Sequence, residues 1–261
     1  MSSTEMSSTE MSGAPLDKNI VFDAGRFPRA KIGFVNLATE QTIESDMMRW
    51  APAGVGIHFT RAPIPDQITA ENLGAMVDGL APAAAVLAPN ANLDVICYAC
   101  TSGSVVMGED VVCAELEKGC PDAIPTTLVS GVFAALDALG SKRVVVATPY
   151  LDEVNRIEAD YMTRRGLDVL DIRGLNITND SDMVRVAPSF IRDFAISMDR
   201  PDADAIFVSC GALRTIEVIE EIEAATGKPC VASNQAMLWH CLRLAGIEDK
   251  IDGLGRLTRE H

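Results

Sequence analysis

Positive charge is scarce in this chain: Lys and Arg number 22 against 37 Asp and Glu, a formal net charge of −15. Without a basic run, the sequence excludes a nucleic-acid binder and a protein held on an anionic membrane surface. Aromatic residues are also few, 5% of the chain against 48% hydrophobic residues. The core must therefore be aliphatic, as in buried parallel sheets. No long apolar run or signal-peptide pattern is found, and the seven cysteines are an odd number without regular spacing. This excludes a secreted disulfide framework and makes a reducing cytoplasm the expected setting. Histidine is limited to the scattered His58, His240 and His261, and the CxxC of Cys97 and Cys100 has no second copy. No metal site is expected from that spacing, and with no Gly-rich phosphate loop no cofactor either.

What is present is a repeated strand-to-thiol pattern. Asp94-Val-Ile-Cys-Tyr-Ala-Cys100 reads as a short buried strand that stops on a thiol, and Thr101-Ser-Gly-Ser104 carries turn and capping residues into a helix. That helix shows Val105, Val106, Val112, Cys113 and Leu116 on one side and stops at Gly119. Cys100 is thus placed at the carboxyl end of a strand, where open α/β sheets bind ligands, beside amides expected to lower its pKa. Asp204-Ala-Ile-Phe-Val-Ser-Cys210 repeats the plan, with Gly211 expected to give the backbone room to turn. A following helix with Leu213, Ile216, Ile219 and Ile222 runs to Gly227. A lone free thiol is usually a core residue; a mirrored pair points to two working residues.

Strand and helix patterns alternate along the rest of the chain. They predict an α/β fold of two pseudo-symmetric, Rossmann-like (flavodoxin-like) domains, each with a four-stranded parallel sheet. Residues 1–30, opening on the tandem repeat Met1-Ser-Ser-Thr-Glu5, are expected to be a flexible extension. Residues 31–128 with 235–261 are expected to form the first domain, and residues 129–234 the second.

Cys100-Thr-Ser-Gly-Ser104, Ala147-Thr-Pro-Tyr150, Val208-Ser-Cys-Gly-Ala212, and Ser233-Asn-Gln-Ala236 followed by Leu238-Trp-His240 resemble the aspartate/glutamate racemase superfamily. Within it they are similar to the maleate cis-trans isomerase, arylmalonate decarboxylase and ectoine-utilisation branch. The resemblance runs over residues 31–247. It implies that the last helix returns to the first domain and that both thiols face an interdomain cleft. It also implies that Tyr150 hydrogen-bonds a substrate carboxylate and that Asn176 binds a second one.

The loop after the first strand, Leu37-Ala-Thr-Glu-Gln-Thr-Ile-Glu44, departs from the maleate isomerases. There the corresponding Asn binds a substrate carboxylate; here Glu40 stands at that place, or Asn36 if the register slips. Thr39 and Thr42 are accounted for as helix caps, whereas Glu40 and Gln41 have no structural need to be there. A carboxylate at Glu40 repels a substrate carboxylate and suits an ammonium or amidinium group.

The function expected is a cofactor-independent isomerase or racemase of a small carboxylate. Cys100 is the nucleophile or base and Cys210 the opposing acid. Glu40, Gln41, Asn36, Thr101, Ser102, Tyr150, Asn176 and Gly211 are the candidate substrate-binding residues. The resemblance also implies a homodimer. An arylmalonate-type decarboxylase and a non-catalytic small-molecule-binding protein are the alternatives. Against the first, decarboxylases of this branch carry Gly where Cys100 stands.

Overall fold

A computed structural model of the chain describes residues 20–261; the repeat that opens the sequence lies outside the described residues. The first half runs through β1 (Ala30–Leu37), α1 (Ile43–Trp50), β2 (Val55–Ala62), α2 (Ala70–Gly74), α3 (Val77–Ala85), β3 (Val95–Tyr98), α4 (Thr101–Met107), α5 (Glu109–Gly119) and β4 (Ile124–Thr127). Next come α6 (Leu128–Ala138), β5 (Arg143–Thr148), α7 (Asp152–Arg164), β6 (Asp168–Gly174), α8 (Asp180–Met183), α9 (Pro188–Ser197) and β7 (Ala205–Val208). A 3-10 turn at Thr215–Glu217 precedes α10 (Ile219–Thr226), β8 (Cys230–Ala232), α11 (Ser233–Leu244) and α12 (Gly255–Glu260).

The strands form two parallel sheets of identical order, β2-β1-β3-β4 and β6-β5-β7-β8. In each, the chain leaves the first strand to one side and returns on the other. The carboxyl ends of β1 and β3, and of β5 and β7, therefore flank a switch point where loops diverge and leave a crevice. Cys100 follows β3 and Cys210 follows β7, so the repeat in sequence is a repeat in space.

The aliphatic composition is used as expected. β3, β7 and β8 are buried along their whole lengths, and β5 everywhere but at Arg143. One core cluster runs from Ile32 and Phe34 through Val132 of α6 and Leu238 of α11 to Val146 and Phe207 of the second sheet. The two sheets thus share an apolar seam carried by α6 and α11. α11 is buried from Ser233 to Trp239, around its whole circumference, as a helix packed between layers must be.

The helices that follow the two cysteines differ from the sequence expectation, and a third segment is divided at a proline. The helix after Cys100 is broken into α4 and α5 at Gly108, whose φ of 89° lies in the region glycine tolerates best. The segment around Pro188 is two helices, with Pro188 opening the second, where its missing N–H is no loss. After Cys210 no α-helix begins until Ile219. Leu213, Ile216, Ile219 and Ile222 are spaced at three residues, the period of a 3-10 turn, which is what forms at Thr215–Glu217. Among the described residues, no helix is long and apolar enough to cross a membrane.

Candidate active site

Cys100 is the N-cap of α4. Its backbone is extended, with φ −144° and ψ 123°, and its Sγ accepts a hydrogen bond from the Gly103 amide at 3.3 Å. The Ser102 hydroxyl lies 3.7 Å from the same sulfur. Gly103 is required here by close approach, since a Cβ would run into the Tyr98 hydroxyl beneath it. That hydroxyl, 3.2 Å from Met76 Sδ, also favours the Cys100 thiolate.

Cys210 is built differently. Its φ is 112°, a conformation that is costly for a side chain with a Cβ. The sequence expectation rests the turn after β7 on Gly211, but the left-handed residue is the cysteine itself. Gly211 serves instead for close packing: a Cβ there would meet Ile43 Cδ1 at 2.8 Å and Asn234 Oδ1 at 3.2 Å. The Cys210 amide donates to Ser233 Oγ at 3.0 Å, and Ser233 Oγ pairs with Thr101 Oγ1 at 3.0 Å. One hydroxyl at the start of α11 therefore ties the two thiol-bearing turns together.

Both thiols line one small pocket. Thr101 and Ser102 line it beside Cys100, and Tyr150 and Gly211 line it beside Cys210. Glu40 joins them from the loop after β1. Tyr150 is buried, and its hydroxyl favours the thiolate of Cys210. Each sulfur thus has a tyrosine as neighbour, Tyr98 for Cys100 and Tyr150 for Cys210.

The expectation that helix amides lower the Cys100 pKa is not met. Burial dominates and pushes it up to about 11, with the Gly103 amide and Ser102 hydroxyl offsetting part of the rise. Cys210 is also raised well above its ordinary value, first by burial and then by the charge of Asp180, against the Tyr150 hydroxyl and the Ala212 amide, and its sulfur has only Met183 Sδ, at 4.0 Å, as a geometric partner among the described residues. For thiols this buried the loss of hydration outweighs a few N–H donors. The better-supported thiolate is Cys100.

Other assignments need correction. Glu40 does have a structural role, because its Oε1 accepts from the Ile43 amide at 2.7 Å and from the Thr42 amide, capping α1. Thr42 makes no side-chain cap bond and gives its hydroxyl to Ala212 O at 3.0 Å. Gln41 is exposed and Asn36 is fully buried; neither lines the pocket. Successive residues of a strand face opposite sides, and Asn36 alternates with Val35 and Leu37, which belong to the core cluster that includes Cys100. Neither polar atom of its amide finds a partner among the described residues. Asn176 is an exposed turn residue with φ 57°, outside the pocket, its amide donating to Tyr150 O. Turn chemistry accounts for it.

Sequence reasoning misses Asp180. It is buried, lines the pocket, and accepts from Thr39 Oγ1 at 2.7 Å. The loop that carries it is stitched to the first half. Ile68 N donates to Thr178 O and Asp180 N to Asp66 O, each at 2.9 Å, and Gln67 pairs with Asn179 as an isolated bridge. Burial raises the Asp180 carboxyl above its ordinary value and Glu40 to about 7. Among the described residues, no group of three His, Cys, Asp or Glu side chains is placed to hold a metal ion.

Fold and site together define a two-sheet α/β protein with a pair of buried thiols at equivalent switch points in one interdomain pocket. The sequence model of the arylmalonate decarboxylase family matches residues 58–258, and the chain belongs to that family. Arylmalonate decarboxylase of Bordetella bronchiseptica is 38% identical over 138 residues, 52% of this chain and 58% of that protein. Maleate isomerase of Nocardia farcinica is 25% identical over 242 residues, 88% of this chain and 96% of that protein. The fold matches a Nocardia farcinica maleate cis-trans isomerase variant with a covalently bound succinylcysteine intermediate, with a TM-score of 0.82 at 24% identity over 89% of this chain and 99% of that one.

Proposed function

We propose that the protein is a cofactor-independent, two-cysteine isomerase or racemase of a small carboxylate, with Cys100 as nucleophile or base and Cys210 as the opposing acid. The observation that carries this reading is the shared pocket: two free thiols from equivalent strands line one small cavity. Its maleate isomerase relatives support the reaction class. The succinylcysteine held by the Nocardia protein supports covalent addition as one of its routes.

In the addition route, the Cys100 thiolate attacks one carbon of the double bond and the π electrons move into the adjacent carboxylate as an enediolate. The resulting single bond rotates while the Cys210 thiol holds the enediolate by a hydrogen bond; the enediolate electrons then restore the double bond in the other geometry, and the C–S electrons leave on sulfur to regenerate the Cys100 thiolate. In the racemisation route, the Cys100 thiolate takes the α proton and the Cys210 thiol returns one from the other side, leaving the two sulfurs with exchanged protonation. Both routes pass through an enediolate. The Thr101 and Ser102 amides, the Gly211 amide and the Tyr150 hydroxyl supply donors for it.

Maleate, an amino-bearing acid and an ectoine-derived acid all fall within this reading. Seven free cysteines support a reducing, cytoplasmic setting. Cys100 favours isomerisation over decarboxylation, because decarboxylation needs only one protonating thiol. The test is incubation with such acids in deuterated water. Racemisation places solvent isotope at the α-carbon, cis-trans addition interconverts the geometries without it, and both stop when either cysteine becomes serine. Full turnover in either single variant removes the two-thiol mechanism.

A further inference from the structure

The pocket that holds the thiols is also lined by two buried carboxyl groups. Glu40 is 4% exposed and Asp180 2% exposed, and they reach the pocket from different halves of the molecule. Among the described residues, no Lys, Arg or His side chain lines the pocket. Neither carboxylate has an ion-pair partner among the described residues. Arg61 lies against the same loop, but its guanidinium is committed to the Leu37, Ala38 and Glu40 carbonyls and to the Glu44 carboxylate. Each of the two acids uses one oxygen on the protein: Glu40 Oε1 on the start of α1, and Asp180 Oδ2 on Thr39. Glu40 Oε2 and Asp180 Oδ1 accept no hydrogen bond from the described residues.

Two buried carboxyl groups without a cationic partner are expensive, and placing a dicarboxylate beside them adds like charge to like. A positively charged guest removes that conflict. Given the two-thiol reading above, we infer that the substrate carries a cationic nitrogen as well as its carboxylate, and that Glu40 and Asp180 together form the subsite for it. Asp180 also raises both thiols, so a cation seated on it makes each sulfur easier to ionise. The guest thereby helps to prepare the base that attacks it. The acid on the α1 cap is thus both a structural group and a specificity determinant.

The test is calorimetric binding to the Cys100→Ser/Cys210→Ser protein, which cannot turn over, using 2-aminobutyrate, 4-aminobutyrate, butyrate and maleate. The expected result is that at least one amine binds roughly tenfold or more tighter than butyrate and maleate, the scale of one charge-assisted hydrogen bond. Adding Asp180→Asn or Glu40→Gln abolishes that preference. Both amides keep the oxygen that Thr39 or the α1 amides use, so the fold is retained, as circular dichroism will verify. Maleate binding as tightly as the amines, amine preference surviving both amide variants, or no amine binding in the millimolar range each overturns the assignment. These outcomes leave the two-thiol mechanism untouched, because that reading stands or falls on turnover by the single serine variants.

Discussion

The two halves of the molecule reach the same end, a thiol at a sheet switch point, by opposite local means. In the first half Cys100 is relaxed, extended and capped into a helix; in the second Cys210 is held at φ 112° with no α-helix until Ile219. Position 99 before the first thiol is alanine, while position 209 before the second is a buried serine facing the buried Glu158. Equivalent positions in a repeated fold need not be equivalent chemically. The capped thiol is prepared to carry charge; the strained one is aimed.

The largest effect expected is catalytic. Cys100→Ser and Cys210→Ser should each lower turnover of an accepted carboxylate by about a thousandfold, the scale of a lost acid or base, measured by polarimetry or by absorbance of the double bond. The asymmetry appears in alkylation. Iodoacetamide at alkaline pH should modify Cys100 faster than Cys210, read by peptide mass spectrometry; equal rates break the comparison.

Glu158 sharpens it next. This carboxyl is fully buried, with neither oxygen hydrogen-bonded among the described residues, and burial raises it from an ordinary 4.5 to about 7, against a favourable pull from Ser209. Below pH 4.5 folded and unfolded chains are both protonated there and the group contributes nothing. As pH rises towards 7 the unfolded chain ionises first, so stability falls. Glu158→Gln should remove that decline. By urea unfolding its advantage over the parent should grow between those limits to on the order of 3 kcal/mol, and then level off.

Ser233→Ala cuts the link between the halves. The buried Cys210 amide loses its acceptor, at a cost of about 1 to 3 kcal/mol in stability, and turnover should fall because Cys210 loses its anchor. The smallest effect compares glycine with alanine at each thiol. Cys210→Gly should be more stable than Cys210→Ala by about 1 kcal/mol, since only Gly adopts φ 112° freely. At position 100, where the backbone is extended, no such preference for Gly is expected, and thermal melts of the four variants measure the difference.

What is legible in the sequence is what is written locally. Aliphatic strands ending on a thiol, a Tyr after Thr-Pro, and helix stops at glycines lead to the two sheets, to both sulfurs and to Tyr150 without coordinates. What is not legible depends on tertiary placement. Asp180 sits in Asn179-Asp180-Ser181-Asp182, a run with every mark of a solvated turn, and only its bonds to the Asp66 and Thr39 segments bury it. Glu40 reads as a ligand group alone because Thr42 is the better cap by residue type; chain direction after Leu37 decides otherwise. Asn36 and Asn176 share a residue type with a carboxylate binder but point elsewhere, one into the sheet's other face and one into a turn. Cys210's strain has no sequence mark, because nothing in Ser-Cys-Gly announces that the cysteine, not the glycine, takes the left-handed angle.

The stitching between the 66–68 and 178–181 segments has a bearing on speed. Ile68 and Asp180, one from each half, both line the pocket, and the bonds made by their amides tie the two segments together, so any parting of the halves along this seam must break those bonds first. Such an opening step has a rate of its own, independent of how reactive the sulfurs are. Loosening the seam and sharpening a nucleophile are therefore separate ways to change turnover.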